Sequence, residues 1–111
     1  MTQENKKTII YKMIGPGRER KSIHLENLMM VVFDFSDGPM ENPEPPHSHP
    51  HEQITYVAEG ELQFIKGEEK YHLVKGDLIA IPSGIPHSIK TLTSHVRLVD
   101  SFYPVRNDFL Q

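Results

Sequence analysis

Nine prolines and seven glycines cut this chain into segments of about ten residues, and that punctuation constrains its fold more than any other feature. A proline inside a helix removes a backbone hydrogen bond and collides with the preceding turn, so long helices do not fit between these breaks. What lies between them is β-like: TIIYKM, LMMVVFDF, QITYV, ELQFIK, KYHLV, DLIAI, HSIKTL and HVRLVDSF, all rich in Val, Ile, Thr, Tyr and Phe. Glu59-Gly60, Lys66-Gly67-Glu68 and Lys75-Gly76-Asp77 fall where hairpin turns are needed. Eight short strands at regular spacing predict an all-β sandwich or barrel. The Pro-rich stretch GPMENPEPP, residues 38–46, reads as one stiff loop rather than a linker. The closing PVRNDFLQ reads as a short helical turn or an extended tail.

With 111 residues there is room for one hydrophobic core, so the expectation is a single domain over 1–111. The net charge of −3 is too small to steer the chain to nucleic acid or anionic lipid, and no basic stripe is interleaved with aromatics. No apolar run approaches a membrane span, and TIIYKMI after MTQENKK is too short and polar for a signal sequence. The absence of cysteine removes disulfides and thiolate metal sites and fits a reducing compartment. A cytoplasmic protein with neither a nucleic-acid nor a membrane partner is expected.

The chemistry gathers in two segments. In PPHSHPHEQITYVAEG, His47 and His49 are two apart and Gln53 lies four further on. Side chains of an extended chain alternate faces, so these odd-numbered positions point the same way. Two imidazoles and an amide oxygen make half of a coordination sphere. In GDLIAIPSGIPHSI, glycines and prolines fix a bend just before His87, which supplies a third imidazole from a distant strand. His51 shares the parity of the ligands. His24, His72 and His95 have no partners in sequence.

These two segments resemble the paired motifs of the cupin family, G-x5-H-x-H-x3,4-E-x6-G and G-x5-P-x-G-x2-H-x3-N. His47, His49, Gln53 and Gly60 follow the first, with Gln in place of Glu and the leading glycine displaced to Gly38. Gly76, Pro82, Gly84 and His87 follow the second, with Thr91 in place of Asn. The resemblance implies a double-stranded β-helix, the eight-stranded jelly-roll barrel of that family. It implies one divalent metal ion, Zn, Ni, Fe or Mn, held by His47, His49, Gln53 and His87. It leaves His51 outside the ligand set. A neutral amide instead of a carboxylate leaves the ion its full double charge and makes it the stronger Lewis acid.

The last strand adds a second feature. Val96, Leu98, Asp100 and Phe102 share one face, and an isolated carboxylate on an inward apolar face is costly, which makes Asp100 a site candidate. The alternatives are that this face is the outer one, or that Asp100 pairs with Arg97 or Arg106. The run D-x-F-x-P-x-R, together with the His-His-Gln-His set, is similar to the small pectin-degradation cupins that linearise 4,5-unsaturated monosaccharide uronates. That resemblance implies Asp100, Arg106 and Gln53 as catalytic residues and Phe102 as a pocket wall. The substrate would be a carboxylated sugar, gripped at its carboxylate by Arg106. Asp100 would move the proton, and the metal would stabilise developing charge. Other readings are a different metal-dependent cupin enzyme, of polyketide cyclase or dioxygenase type, and a non-catalytic sugar-binding cupin. If Gln53 faces inward, Ile54 and Tyr56 face outward and need a cover, either a homodimer partner or the N-terminal strand.

Overall fold

The computed structural model describes residues 8–110. Nine strands form two antiparallel sheets: β1 (Ile10–Gly15), β2 (Arg18–His24), β3 (Met29–Phe35), β4 (Glu52–Glu59), β5 (Glu61–Lys66), β6 (Glu69–Val74), β7 (Leu78–Ile81), β8 (His87–Thr91) and β9 (Val96–Tyr103). The larger sheet has the order β1-β2-β3-β9-β4-β7, and the smaller has β6-β5-β8. The all-β jelly-roll expectation holds, but the described residues form nine strands rather than eight, and the two sheets are hydrogen-bonded separately. The extra strand is β2, RERKSIH, whose single large apolar residue gave composition nothing to detect.

Both sheets contribute to one apolar cluster, so their inner faces pack on each other. Phe35, Val57, Ile79, Ile81, Val96 and Leu98 come from the larger sheet, and Leu62, Phe64 and Leu73 from the smaller. Strict alternation sets which residues arrive there. Along β9, Val96, Leu98, Asp100 and Phe102 are buried while Arg97 and Tyr103 are exposed. A second cluster, Met29, Val31, Phe102, Val105 and Phe109, closes the end of the larger sheet. The tail there folds as a 3-10 helix, Asn107–Leu110, and buries Phe109.

Gly60 explains why the chain can pass from one sheet to the other directly after β4. It has φ of 81°, and a Cβ there would lie 2.2 Å from the His95 carbonyl oxygen, so any side chain is excluded. The loop over residues 38–46 is held rather than free. Met40 N–H donates to Thr91 O at 3.0 Å, Glu44 N–H to Ile89 O at 2.9 Å, and His47 N–H to His87 O at 3.0 Å. It therefore runs along the open edge of β8 and delivers His47 opposite His87. On the outer face Ile54 and Tyr56 are exposed, and β1 lies at the far edge of the same sheet, so it does not cover them. No helix among the described residues is long and apolar enough to cross a membrane.

Candidate metal centre and active-site pocket

His47 and His87 form an antiparallel backbone bridge, with the return bond His87 N–H to His47 O at 2.9 Å. This pair of hydrogen bonds fixes two imidazole-bearing backbones side by side. The ligating atoms of His47, His49 and His87 lie within 4.8 Å of one another. His51 is not among them, although it shares their parity. The chain bends at residues 50–51, so strand alternation, which the sequence pattern assumes, ends before it. Its contribution is the main-chain carbonyl, which accepts from His49 Nδ1 at 3.0 Å.

Hydrogen bonding sets the tautomers. The Ile85 carbonyl accepts from His87 Nδ1 at 2.8 Å, as the His51 carbonyl does from His49. A carbonyl only accepts, so both Nδ1 atoms carry the proton and both Nε2 atoms present lone pairs. His87 Nε2 is buried with no hydrogen-bond partner among the described residues. Gln53 reaches the cluster from β4, where it sits between Phe102 and Ile81 in the sheet register. Its Oε1 is 3.1 Å from His49 Nε2, while its Nε2 donates to Thr55 Oγ1 at 2.9 Å. Thr55 in turn donates to Asp100 Oδ1 at 2.6 Å. The direction of this chain leaves the Gln53 oxygen facing the His49 lone pair. Two acceptors turned on each other beside an unpartnered third call for a cation between them, so this donor set fits a divalent ion.

The electrostatics agree. His47 is pushed down to about 4, first by desolvation and then by His87, His49 and Arg106. His49 and His87 are also lowered, in both cases chiefly by burial. Neutral imidazole is the form that ligates a metal.

A pocket of about 360 Å³ opens beside this cluster, within the range of small-molecule sites. Its walls include His47, His87, Gln53, Asp100, Phe102 and Arg106, which brings the sequence candidates together; His49 packs edge-on to Phe102 at 5.8 Å. Asp100 is only 5% exposed and makes neither of the ion pairs considered above. Arg97 pairs with Asp34 instead, and Arg106 Nη2 with Asp108 at 2.7 Å. Burial pushes the Asp100 pKa up to about 7, against the Thr55 hydrogen bond and the charge of Arg106. Thr55 and Arg20 are among the polar lining residues that the sequence candidates did not include. Thr55 was findable, since it follows Gln53 at strand parity. Arg20 was not, because it lies on the strand that composition passed over.

Residues 34–102 match the cupin domain family. The chain is 35% identical over 102 residues to the pectin degradation protein KdgF of Dickeya dadantii (strain 3937), covering 90% of each. The structure of KdgF from Halomonas sp. superposes with a TM-score of 0.79 at 32% identity, over 89% of each chain. An RmlC-like cupin from Shewanella frigidimarina NCIMB 400 superposes with a TM-score of 0.81 at 29% identity, over 96% of this chain and 93% of that one.

Proposed function

The chain belongs to the cupin domain family, and on that premise we propose that it is a metal-dependent enzyme that linearises 4,5-unsaturated uronate monosaccharides, as a single cytoplasmic cupin domain over 1–111. The observation that carries this reading is Asp100: a carboxyl pushed up to about 7, on the wall of a pocket that also presents His47 and His87 of the three-imidazole cluster. The similarity to the pectin degradation protein KdgF supports the substrate class.

An unsaturated uronate is an enol ether conjugated to a carboxylate. Opening it requires a proton on the alkene carbon and water on the neighbouring ring carbon; the hydrate then opens to the keto form and returns water. A carboxyl titrating near neutrality both gives and recovers a proton, so Asp100 acts as general acid and base. Thr55 donates to one of its oxygens and leaves the other for the substrate. Arg106 binds the substrate carboxylate, and Phe102, 1% exposed, walls the pocket against water. His47, His49, His87 and Gln53 would hold the divalent ion, which supplies Lewis-acid polarisation of substrate oxygens. Its identity among Zn, Ni, Fe and Mn is left open by a nitrogen and oxygen donor set. On the outer face, Ile54, Tyr56, Leu78 and Tyr103 form an exposed apolar stripe that supports a homodimer.

The test is a panel of unsaturated uronates, followed as loss of the ultraviolet absorbance of the conjugated double bond, with metal analysis of the same sample. The expected result is turnover above the spontaneous rate and about one metal per chain. Spontaneous rates alone across the panel, from a metal-loaded sample, would sink the linearase reading.

A further inference from the structure

The chain has four arginines, Arg18, Arg20, Arg97 and Arg106. Three are matched to carboxylates: Arg18 to Asp37 and Glu44, Arg97 to Asp34, and Arg106 to Asp108. Arg20 is the exception. It is 8% exposed, lines the same pocket as His47, Asp100 and Arg106, and has no hydrogen bond or ion pair among the described residues. What it touches is the face of Phe109, with its guanidinium carbon 4.1 Å from the ring centroid. The Arg106 guanidinium carbon is 4.0 Å from the same centroid. Two guanidinium groups are thus laid against one ring, with Asp108 the single carboxylate among the described residues bonded to either of them.

The strand register explains how Arg20 comes to be there. On β2, Arg20 and Ser22 are buried while Lys21 between them is exposed, so the inward face of this polar strand is a polar face. Arg20 sits opposite Phe33 of β3, whose ring in turn packs edge-on to Phe109 at 5.9 Å. The stack on Phe109 fixes the guanidinium plane without using any of its five N–H donors. None of the Arg20 nitrogens is among the buried atoms left without a partner, so the fork opens into the pocket. Asp108, already bonded to Arg106, acts on its charge without bonding it, and an entering anion would meet free donors. Arg106 is in the opposite condition, since its Nε and Nη2 both donate to Asp108, at 3.3 and 2.7 Å.

We infer that Arg20 is a second anion-recognition residue of this pocket, and that a substrate carboxylate is held between it and Arg106. The inference deepens the proposed function by assigning the carboxylate grip mainly to the arginine whose fork is free. Arg106 offers the edge left over from Asp108, and the Phe109 ring keeps the two cations in place.

The experiment is equilibrium binding of two inert probes, D-galacturonate and its uncharged methyl ester, to the metal-loaded full chain by calorimetry. Wild type is expected to prefer the acid. Arg20→Met keeps an unbranched apolar stem against Phe109 and removes the fork. It should weaken the acid about tenfold to a hundredfold, the span of a charge-assisted hydrogen bond, and change the ester about twofold or less. Arg20→Lys should lie between, because it restores the charge without the planar grip. Should Arg20→Met fail to fold, Arg20→Lys carries the test through a selective loss on the acid. Equal losses on both probes would reduce Arg20 to a packing residue for Phe109 and overturn the inference, as would a wild type that does not distinguish them. Binding needs no turnover, so the two readings fail separately. Acid preference through Arg20 without linearisation sinks the reaction alone, and linearisation without acid preference sinks Arg20 alone.

Discussion

Asp34 and Asp100 lie on adjacent paired strands, at 9% and 5% exposure, yet their carboxyls are pushed in opposite directions. Asp34 is on the outer face of β3 and stands opposite Arg97 in the register with β9. Burial raises its pKa, but hydrogen bonds from Arg97 at 2.8 Å and His95 at 2.9 Å, with their charges, more than reverse this and leave it below the ordinary value. Asp100 is on the inner face of β9, where the one hydrogen bond to its carboxyl among the described residues is from a neutral hydroxyl, and burial wins. Similar surface exposure hides a difference in depth: Asp34 lies nearer the surface between charged partners and is held as an anion, while Asp100 is enclosed with a neutral hydroxyl and is pushed up to about 7. Depth and partner decide which together, and the face of the sheet decides both.

The sharpest way to break this comparison is kinetic. Asp100→Asn keeps the shape and removes the proton, so turnover of an unsaturated uronate should fall by about 10²–10⁴, while Asp34→Asn should leave it within about threefold. Comparable losses in both variants, measured on the same ultraviolet assay, would mean that Asp100 is no more catalytic than Asp34.

The next effect is on stability, and the two substitutions should differ in sign. For Asp100 the folded pKa of about 7 lies above the unfolded value, so the native state holds the extra proton and stability falls as pH rises from about 4 to 7. Asp100→Asn should therefore raise the melting temperature of metal-free protein at pH 8, on the order of 5 °C, and raise it less at pH 5. Asp34 is depressed, so its contribution is present above its unfolded pKa and lost as pH falls through the folded one. Asp34→Asn should lower stability by about 1 kcal/mol at both pH 5 and pH 8, discounted because Arg97 and His95 are partly in water. Thermal melts of both variants at the two pH values check the signs together. A stabilised Asp34→Asn would end the distinction.

The smallest effect sharpens the outer site. The His95 side chain is 44% exposed, so His95→Gln should cost less than about 0.5 kcal/mol in a denaturant titration, leaving Arg97 as the main partner of Asp34. A loss above about 1 kcal/mol would give His95 a larger share than its exposure allows.

The alternation of Val96, Leu98, Asp100 and Phe102 was legible because strand period and apolar composition coincide on β9. The spacing of His47, His49, Gln53 and His87 was legible for a related reason, since the turn glycines and prolines between them admit few backbone paths. Where composition and geometry part, reading failed. β2 is a strand through its pairing with β1 and β3, not through its own residues, and with it Arg20 was lost. Parity alone would have admitted His51; the motif resemblance left it out of the ligand set, and the bend at residues 50–51 supplies the physical reason.

Local rules acting on one residue and its near neighbours, namely proline and glycine sterics, strand period and imidazole spacing, were enough to indicate an all-β sandwich or barrel with histidines placed for a metal, and the jelly roll came from the resemblance of two motifs to the cupin family. The tertiary structure alone decided which polar groups meet. Arg97 goes to Asp34 and Arg106 to Asp108, so Asp100 is left to Thr55 and Arg20 to the face of Phe109. Pairing of charges depends on distances between residues far apart in the chain, and a carboxylate or guanidinium carries nothing in its own sequence neighbourhood that says which partner the fold will bring.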